Sequence, residues 1–156
     1  MRIEGSQTLA APRSRIYELL TQAAPLARTL PGCEQLEPAG VDTFAVKMKL
    51  GLAALSGSYQ GTVKLSELRP PEHLRLTMNS RGPWGFADGD GTLSLEEKEG
   101  NTVVRYAGEV KVGGMVASVG QRLLEGAARM VIGQFFKNLE REVSGLASSE
   151  PNQTGA

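Results

Sequence analysis

The residues of this sequence that could do chemistry are few, and the single histidine and single cysteine come first. His73 follows Pro70-Pro71-Glu72 at the predicted start of a strand, a position typical of a surface turn. Cys33 follows Leu30-Pro31-Gly32, and as a thiolate nucleophile it would need a base beside it. His73 is the only candidate base of that kind, and nothing local brings it to Cys33. The residue types therefore argue against Cys/His catalysis and against zinc or facial-triad iron sites, which need more such ligands.

An acidic, glycine-rich segment superficially resembles a calcium-binding loop. Its sequence is Asp88-Gly89-Asp90-Gly91-Thr92, and Glu99 stands at the twelfth position of the loop that it would form. The sixth position of such a loop requires glycine for its sharp turn, and here it is Leu93. We therefore reject a calcium site and expect no metal-ligating residues in this sequence.

Composition excludes several classes of function. Lysine plus arginine and aspartate plus glutamate each number 17 among 156 residues, and this balance argues against nucleic acid and against a polybasic membrane anchor. One cysteine excludes an internal disulfide and fits a reducing cytosol. No apolar run approaches the roughly 20 residues that cross a bilayer, and the first residues do not form a signal peptide. We expect a cytoplasmic protein with one domain over residues 1–147 and a disordered polar tail over 148–156.

Between residues 42 and 112 the sequence alternates apolar and polar residues with the period of half-buried strands. Turn signals rich in glycine and proline separate the runs. Five consecutive strands with short links predict an antiparallel meander, to which residues 2–9 could add a sixth strand. The five runs are Phe44–Leu50, Gly57–Leu68, Leu74–Met78, Phe86–Glu97 and Val104–Val112.

Helical patterns flank the strands. Pro12 and Pro25 are placed to open two short helices after the first strand. From about Met115 to Leu146 the sequence predicts a long amphipathic helix, whose apolar face includes Leu124, Ala128, Val131, Phe135, Leu139 and Val143. Only this helix is large enough to cover the apolar face of the sheet. The sequence predicts an α+β fold in which a curved antiparallel sheet grips one C-terminal helix, a shape that commonly leaves a cavity.

Glycines occupy positions that could leave space between sheet and helix. If Leu93 points inward, then so do three small residues, Ala87, Gly89 and Gly91. Glycine also marks a β-bulge or a tight bend, and both interpretations stay open at this strand. On the long helix, Gly126 and Gly133 lie toward the polar side, where only close packing with another element or chain would account for them.

A series of short motifs is spread along the chain from about residue 2 to 146. They are Leu30–Cys33, Gly57–Gly61, Pro70-Pro71, Gly82–Gly91, Val112–Ala117, Val119–Leu123 and Gln134–Phe136. Their order and spacing resemble the CoxG family of carbon monoxide dehydrogenase subunits. The order of elements resembles the helix-grip superfamily to which that family belongs, also described as START-like, birch-allergen-like or SRPBCC.

The resemblance implies a non-catalytic accessory protein of a molybdenum-type carbon monoxide dehydrogenase. Members of this family are linked to membrane attachment of that enzyme. A hydrophobic cavity of this type also suits menaquinone, ubiquinone or a lipid-like ligand, with no cofactor held covalently or through a metal. We therefore expect a role in quinone delivery or membrane recruitment, in the cytoplasm or peripherally at the inner face of the membrane.

A hydrophobic ligand would be held by apolar and aromatic side chains, with a few polar groups such as tyrosine hydroxyls. We expect Tyr59 and Trp84 at the mouth of the cavity, and the hairpin tip 52–55 and the loop Gly82–Gly85 as its gates. We expect the remaining ligand-binding residues to be Leu50, Met78, Phe86, Tyr106, Leu124, Val131 and Phe135.

Two other functions are compatible with the sequence. A small enzyme of the cyclase or hydrolyase kind would need a polar acid/base pair inside the cavity, where the inward positions are overwhelmingly apolar. A ligand-free assembly protein would have a collapsed core, because Val, Leu and Met side chains can fill the same space. A cavity well below about 300 Å³ would favour the assembly role.

Overall fold

The computed structural model describes residues 1–51 and 56–145, and one antiparallel sheet of seven strands forms most of this part. The strands are β1 (Arg2–Leu9), β2 (Cys33–Gly40), β3 (Thr43–Leu50), β4 (Gly57–Arg69), β5 (His73–Gly82), β6 (Gly85–Lys98) and β7 (Asn101–Gly113). The α-helices of the described residues are α1 (Arg13–Thr21), α2 (Ala23–Thr29) and α3 (Gln121–Ser144). The predicted α+β helix-grip fold is confirmed. The predicted tail 148–156 lies outside the described residues.

The sheet is a meander from β2 to β7, and β1 completes it by pairing with β7. The helices α1 and α2 therefore carry the chain from one edge of the sheet to the other. The prediction lacked β2, so the meander has six strands and not five. Strand β2 is an edge strand with mostly exposed residues, and it contains Pro38, so no alternating pattern marked it.

The long helix begins later than the sequence analysis predicted. Residues Met115–Val119 form a short 3-10 helix, and α3 starts only at Gln121. Gly114 and Gly120 flank the 3-10 helix with φ angles of 82° and 101°, a region that favours glycine. The backbone at Gly120 therefore interrupts the helix that the apolar pattern had extended to Met115.

The C-terminal half of α3 packs closely against α1 and the sheet. Leu139 is fully buried, and it belongs to one cluster with Ile16 and Leu20 of α1 and with Leu74 and Val104 of the sheet. Such side chains fix the helix against α1 and the sheet through dispersion and removal of apolar surface from water.

An ion pair joins α2 to the same half of α3. The Glu142 side chain is only 2% exposed, and Arg28 Nε lies 3.0 and 2.9 Å from its two carboxylate oxygens. Asn138 adds a hydrogen bond from its side-chain nitrogen to the carbonyl oxygen of Thr29, at 3.1 Å. The pairing with Glu142 raises the pKa of Arg28, so the guanidinium remains charged beside the buried carboxylate.

Candidate functional site

The N-terminal half of α3 stands away from the sheet, and a cavity lies between them. The cavity has two adjoining chambers of about 270 and 240 Å³. They share wall residues, among them Leu50, Met78, Gly89, Val131 and Ile132. Each chamber alone falls short of the roughly 300 Å³ at which ligand pockets begin, but the two together exceed it. The core is therefore not collapsed, whereas a ligand-free assembly protein would have a collapsed core.

The walls of both chambers are almost wholly apolar. Tyr106, Phe135 and Phe136 line the first chamber, and the Phe136 ring packs against both other rings with centroid distances of 5.4 and 5.3 Å. The second chamber extends toward Val116 and Leu124. A ligand portion held in these chambers must be hydrocarbon, because a polar group there would lose its hydrogen bonds to water without replacement.

The structure brings all but one of the predicted ligand-binding residues to these walls. Whether they contact a ligand stays a prediction. The residues placed there are Leu50, Tyr59, Met78, Phe86, Tyr106, Leu124, Val131 and Phe135.

The two residues predicted at the mouth occupy different places, and a role at the mouth stays a prediction. Trp84 lines neither chamber: it occupies a two-residue turn between β5 and β6, is 41% exposed, and donates from Nε1 to the carbonyl oxygen of Ser56 at 2.9 Å. Tyr59 is buried in the wall with its ring against Gly82, and burial raises the pKa of its hydroxyl. The sequence pattern could not show that only two residues connect β5 and β6.

Of the two predicted gates, the structure describes only the loop Gly82–Gly85. The segment Gly82–Gly85 is a tight hairpin turn, and the amide nitrogen of Val116 donates to the carbonyl oxygen of Trp84 at 2.6 Å. This contact ties the turn to the 3-10 helix. The hairpin tip 52–55 lies outside the described residues, and motion of either segment stays a prediction.

The inward glycines of β6 serve both roles that the sequence left open. A Cβ on Gly89 would meet nothing closer than Val110 Cγ2 at 4.0 Å, so Gly89 leaves open space in both chambers. A Cβ on Gly91 would lie 2.9 Å from the carbonyl oxygen of Ala107, so Gly91 permits a close approach between β6 and β7. Gly89 thus leaves space in the chambers, and Gly91, two residues along the same strand, allows the backbones of β6 and β7 to lie close together.

A polar cleft of about 460 Å³ opens between β1 and α3 beside the first chamber. The sequence analysis did not predict this cleft, because the meeting of Gly5 and Tyr106 beside it depends on the register between β1 and β7. They are paired residues of β1 and β7, and a Cβ on Gly5 would lie 2.5 Å from the Tyr106 hydroxyl oxygen. Its walls include Arg2, Glu4, Gln7, Glu125, Arg129 and Gly133.

The residues first considered for chemistry lie away from the cavity. Cys33 and His73 begin β2 and β5, which are three strands apart, a lateral distance of about 14 Å in a sheet. His73 Nε2 is 3.2 Å from a carboxylate oxygen of Glu67, and burial raises the pKa of the Cys33 thiol. In the described part of the chain, no three potential metal-ligating residues cluster together.

A larger space of about 750 Å³ borders the outer, polar side of β5–β7. Its three acidic residues already have partners: Asp88 pairs with Arg81 at 2.9 Å, Asp90 with Arg75 at 3.0 Å and Glu109 with Arg2 at 3.5 Å. Because each of these carboxylates has an arginine beside it, the space holds no concentrated charge for a ligand. The apolar cavity is therefore the candidate site.

Comparison with known proteins assigns the family. The model of the CoxG family of carbon monoxide dehydrogenase subunits matches residues 5–144. This chain belongs to the CoxG family. No curated protein matches the sequence. Membership supports an accessory, ligand-binding role associated with carbon monoxide dehydrogenase. Across residues 1–51 and 56–145, no helix is both long and apolar enough to cross a membrane.

Solved structures similar to this CoxG-family chain agree with the fold. A conserved protein from Geobacillus kaustophilus is 30% identical, with a TM-score of 0.89 over 92% of this chain and 95% of that one. A protein from Chromobacterium violaceum is 17% identical, with a TM-score of 0.72 over 91% and 96%. A START superfamily protein from Mycobacterium smegmatis is 12% identical, with a TM-score of 0.70 over 93% and 98%. The last two show a shared fold only.

Proposed function

We propose that this CoxG-family protein binds a long-chain quinone or a similar lipid in the cavity beneath α3 and delivers it between the membrane and a molybdenum-type carbon monoxide dehydrogenase. The observation that carries the proposal is the pair of adjoining apolar chambers, about 270 and 240 Å³, inside a single fold. Isoprenoid chains are sparingly soluble in water, so a carrier needs an apolar concave space of this kind.

Removal of hydrocarbon from water would supply the affinity. Each square ångström of buried apolar surface contributes about 25 cal/mol, against which the loss of translational freedom and ligand flexibility must be set. Aromatic side chains at one end of the cavity, Tyr106, Phe135 and Phe136, offer stacking surfaces, and flexible Met48 and Met78 can adapt to the ligand's shape. This combination favours a branched, flexible hydrocarbon.

Exposed apolar residues near the cavity support exchange at a membrane or partner surface. Met115 is 65% exposed, Leu123 46% and Met130 63%, and all three lie on the 3-10 helix or the N-terminal half of α3. Exposed apolar side chains on the helices that line an apolar cavity can contact a membrane or a partner and reduce the contact of a departing lipid with water. Recruitment of the dehydrogenase to the membrane would use the same surface.

Native mass spectrometry of protein purified from cells, followed by organic extraction, tests the proposal. We expect a co-purified quinone or lipid that is lost after extraction and regained on adding menaquinone-4 or ubiquinone. A protein that is empty as isolated and binds neither added quinone would contradict the proposal. A pull-down of the dehydrogenase with the loaded and the extracted protein then tests delivery.

A further inference from the structure

The cleft between β1 and α3 differs from the chambers in polarity and adjoins the first of them. Charged and amide side chains, including Arg2, Gln7 and Arg129, form its outer walls. Ile3, Tyr106, Ile132 and Phe136 line both the cleft and the first chamber. These four side chains form the boundary between the two spaces, and a molecule whose hydrocarbon lies in the chambers would reach polar surroundings by passing between them.

The Tyr106 hydroxyl stands at the junction of the two environments. Its ring lines the first chamber, and its oxygen reaches β1, where Gly5 lacks the Cβ that would occupy the same space. No residue in the described ranges exchanges a hydrogen bond with this hydroxyl. A phenolic O–H at this place can donate to a carbonyl oxygen of a bound molecule.

Gly133 keeps the cleft open on the helix side. It lines the cleft, and a Cβ added to it would meet no atom within 4 Å. Glycine inside a helix costs about 1 kcal/mol relative to alanine, so its presence on α3 needs a reason other than helix stability. Close packing within the described chain is not that reason, because the position faces open space.

Gly126 provides an internal control on the same helix. A Cβ added there would also meet no atom within 4 Å, yet Gly126 lines neither the cleft nor the two chambers. The two glycines thus share backbone conformation and open surroundings and differ in whether a new side chain would enter the cleft.

We propose that the β1–α3 cleft is the subsite for the polar end of an amphipathic ligand, such as the carbonyl-bearing ring of a quinone, while the ligand's hydrocarbon occupies the chambers. The inference rests on the proposed function, since it requires the chambers to be filled by that ligand. Tyr106 donates to the polar end, and Gly133 leaves the room in which the ring lies.

Binding of two probes to the wild type and to matched variants tests the subsite. The probes are menaquinone-4 and phytane, an isoprenoid hydrocarbon of the same length as its tail, and the readout is the dissociation constant from titration. Gly133→Leu places a side chain in the cleft and should weaken menaquinone-4 binding about tenfold, as loss of roughly 1.4 kcal/mol implies, while phytane binding changes less than about twofold. Gly126→Leu should leave both dissociation constants unchanged.

Tyr106→Phe gives a second, smaller test without a change in shape. Loss of one hydrogen bond should weaken menaquinone-4 binding about fivefold and leave phytane binding unchanged. Gly133→Leu that binds menaquinone-4 like the wild type, or that weakens both probes equally, would overturn the subsite while the carrier function stands. Wild-type protein that binds neither probe would overturn the carrier function and the subsite with it.

Discussion

The two halves of α3 differ in what they pack against. In the C-terminal half, Phe136, Leu139 and Glu142 are buried against α1, α2 and the sheet. In the N-terminal half, Leu124 and Val131 are only partly buried and line a cavity. One amphipathic pattern thus supports close packing at one end and an open space at the other. The sheet differs in the same direction, because β6 contributes Leu95 to the buried cluster that includes Leu139 and contributes Gly89 to the chamber walls.

The largest expected effect is a loss of stability in the C-terminal half of α3, where substitutions should affect folding more than ligand binding. Leu139→Ala removes a fully buried side chain and should lower the free energy of unfolding by about 3 kcal/mol. Val131→Ala removes a side chain that already borders a cavity, and should cost about 1 kcal/mol or less while weakening ligand binding. Denaturant unfolding measures both. Equal losses of stability would erase the proposed difference between the halves.

The second expected effect concerns the ion pair of the packed half. Arg28→Ala leaves the Glu142 carboxylate buried without its guanidinium partner, and should lower the free energy of unfolding by about 2 kcal/mol. This loss is smaller than for a fully buried pair, because the Arg28 side chain is 45% exposed. Adding Glu142→Leu to that variant should restore most of the loss. If Arg28→Ala unfolds at the wild-type denaturant concentration, the pair does not hold α2 against α3.

A third, smaller effect contrasts two glycines of β6. Gly91→Ala places a Cβ 2.9 Å from a backbone oxygen of β7, and this oxygen cannot move without disturbing the hydrogen bonds between β6 and β7. The substitution should lower the free energy of unfolding by about 1–2 kcal/mol, as overpacking usually does. Gly89→Ala enters open space and should stabilise the protein by about 0.5 kcal/mol. Thermal unfolding of the two variants measures both effects. A Gly89→Ala variant that is less stable than the wild type would contradict open space at Gly89.

The smallest expected effect on stability concerns the exposed apolar residues of the open half. Leu123→Gln and Met130→Gln should change the free energy of unfolding by less than about 0.5 kcal/mol and leave quinone affinity in solution unchanged. Transfer of menaquinone-4 from liposomes to the protein should become slower, because a departing lipid would meet polar side chains. Unchanged transfer kinetics in the double variant would remove this surface from the delivery route.

Sequence patterns predicted the elements whose apolar residues repeat regularly. Strands β3 to β7 and the apolar face of α3 are of this kind, and so are the chamber walls, because inward positions follow directly from alternation. The edge strand β2 has no such alternation, and Gly120 ends a pattern that apolar residues continue. The place of Trp84 outside the chamber walls could not be predicted, because it depends on a turn geometry that the residue type does not reveal.

The β1–α3 cleft shows a different limit of the sequence. Its walls include Tyr106, which lies opposite Gly5 across two strands, and Gly133, which faces the same space from the helix. The first relation requires the register between β1 and β7, which are separated by most of the chain. A helical wheel places Gly133 toward the polar side but does not show that this side faces β1.

Filling the cavity from the sheet is the most direct test of its role in ligand binding. Gly89→Leu adds a side chain that enters both chambers, whereas Asn79→Leu adds the same side chain to the outer face of the neighbouring strand β5. Titration with menaquinone-4 should give wild-type affinity for Asn79→Leu and at least about tenfold weaker binding for Gly89→Leu, with both variants folded. Wild-type affinity in a folded Gly89→Leu variant would contradict ligand binding in this cavity.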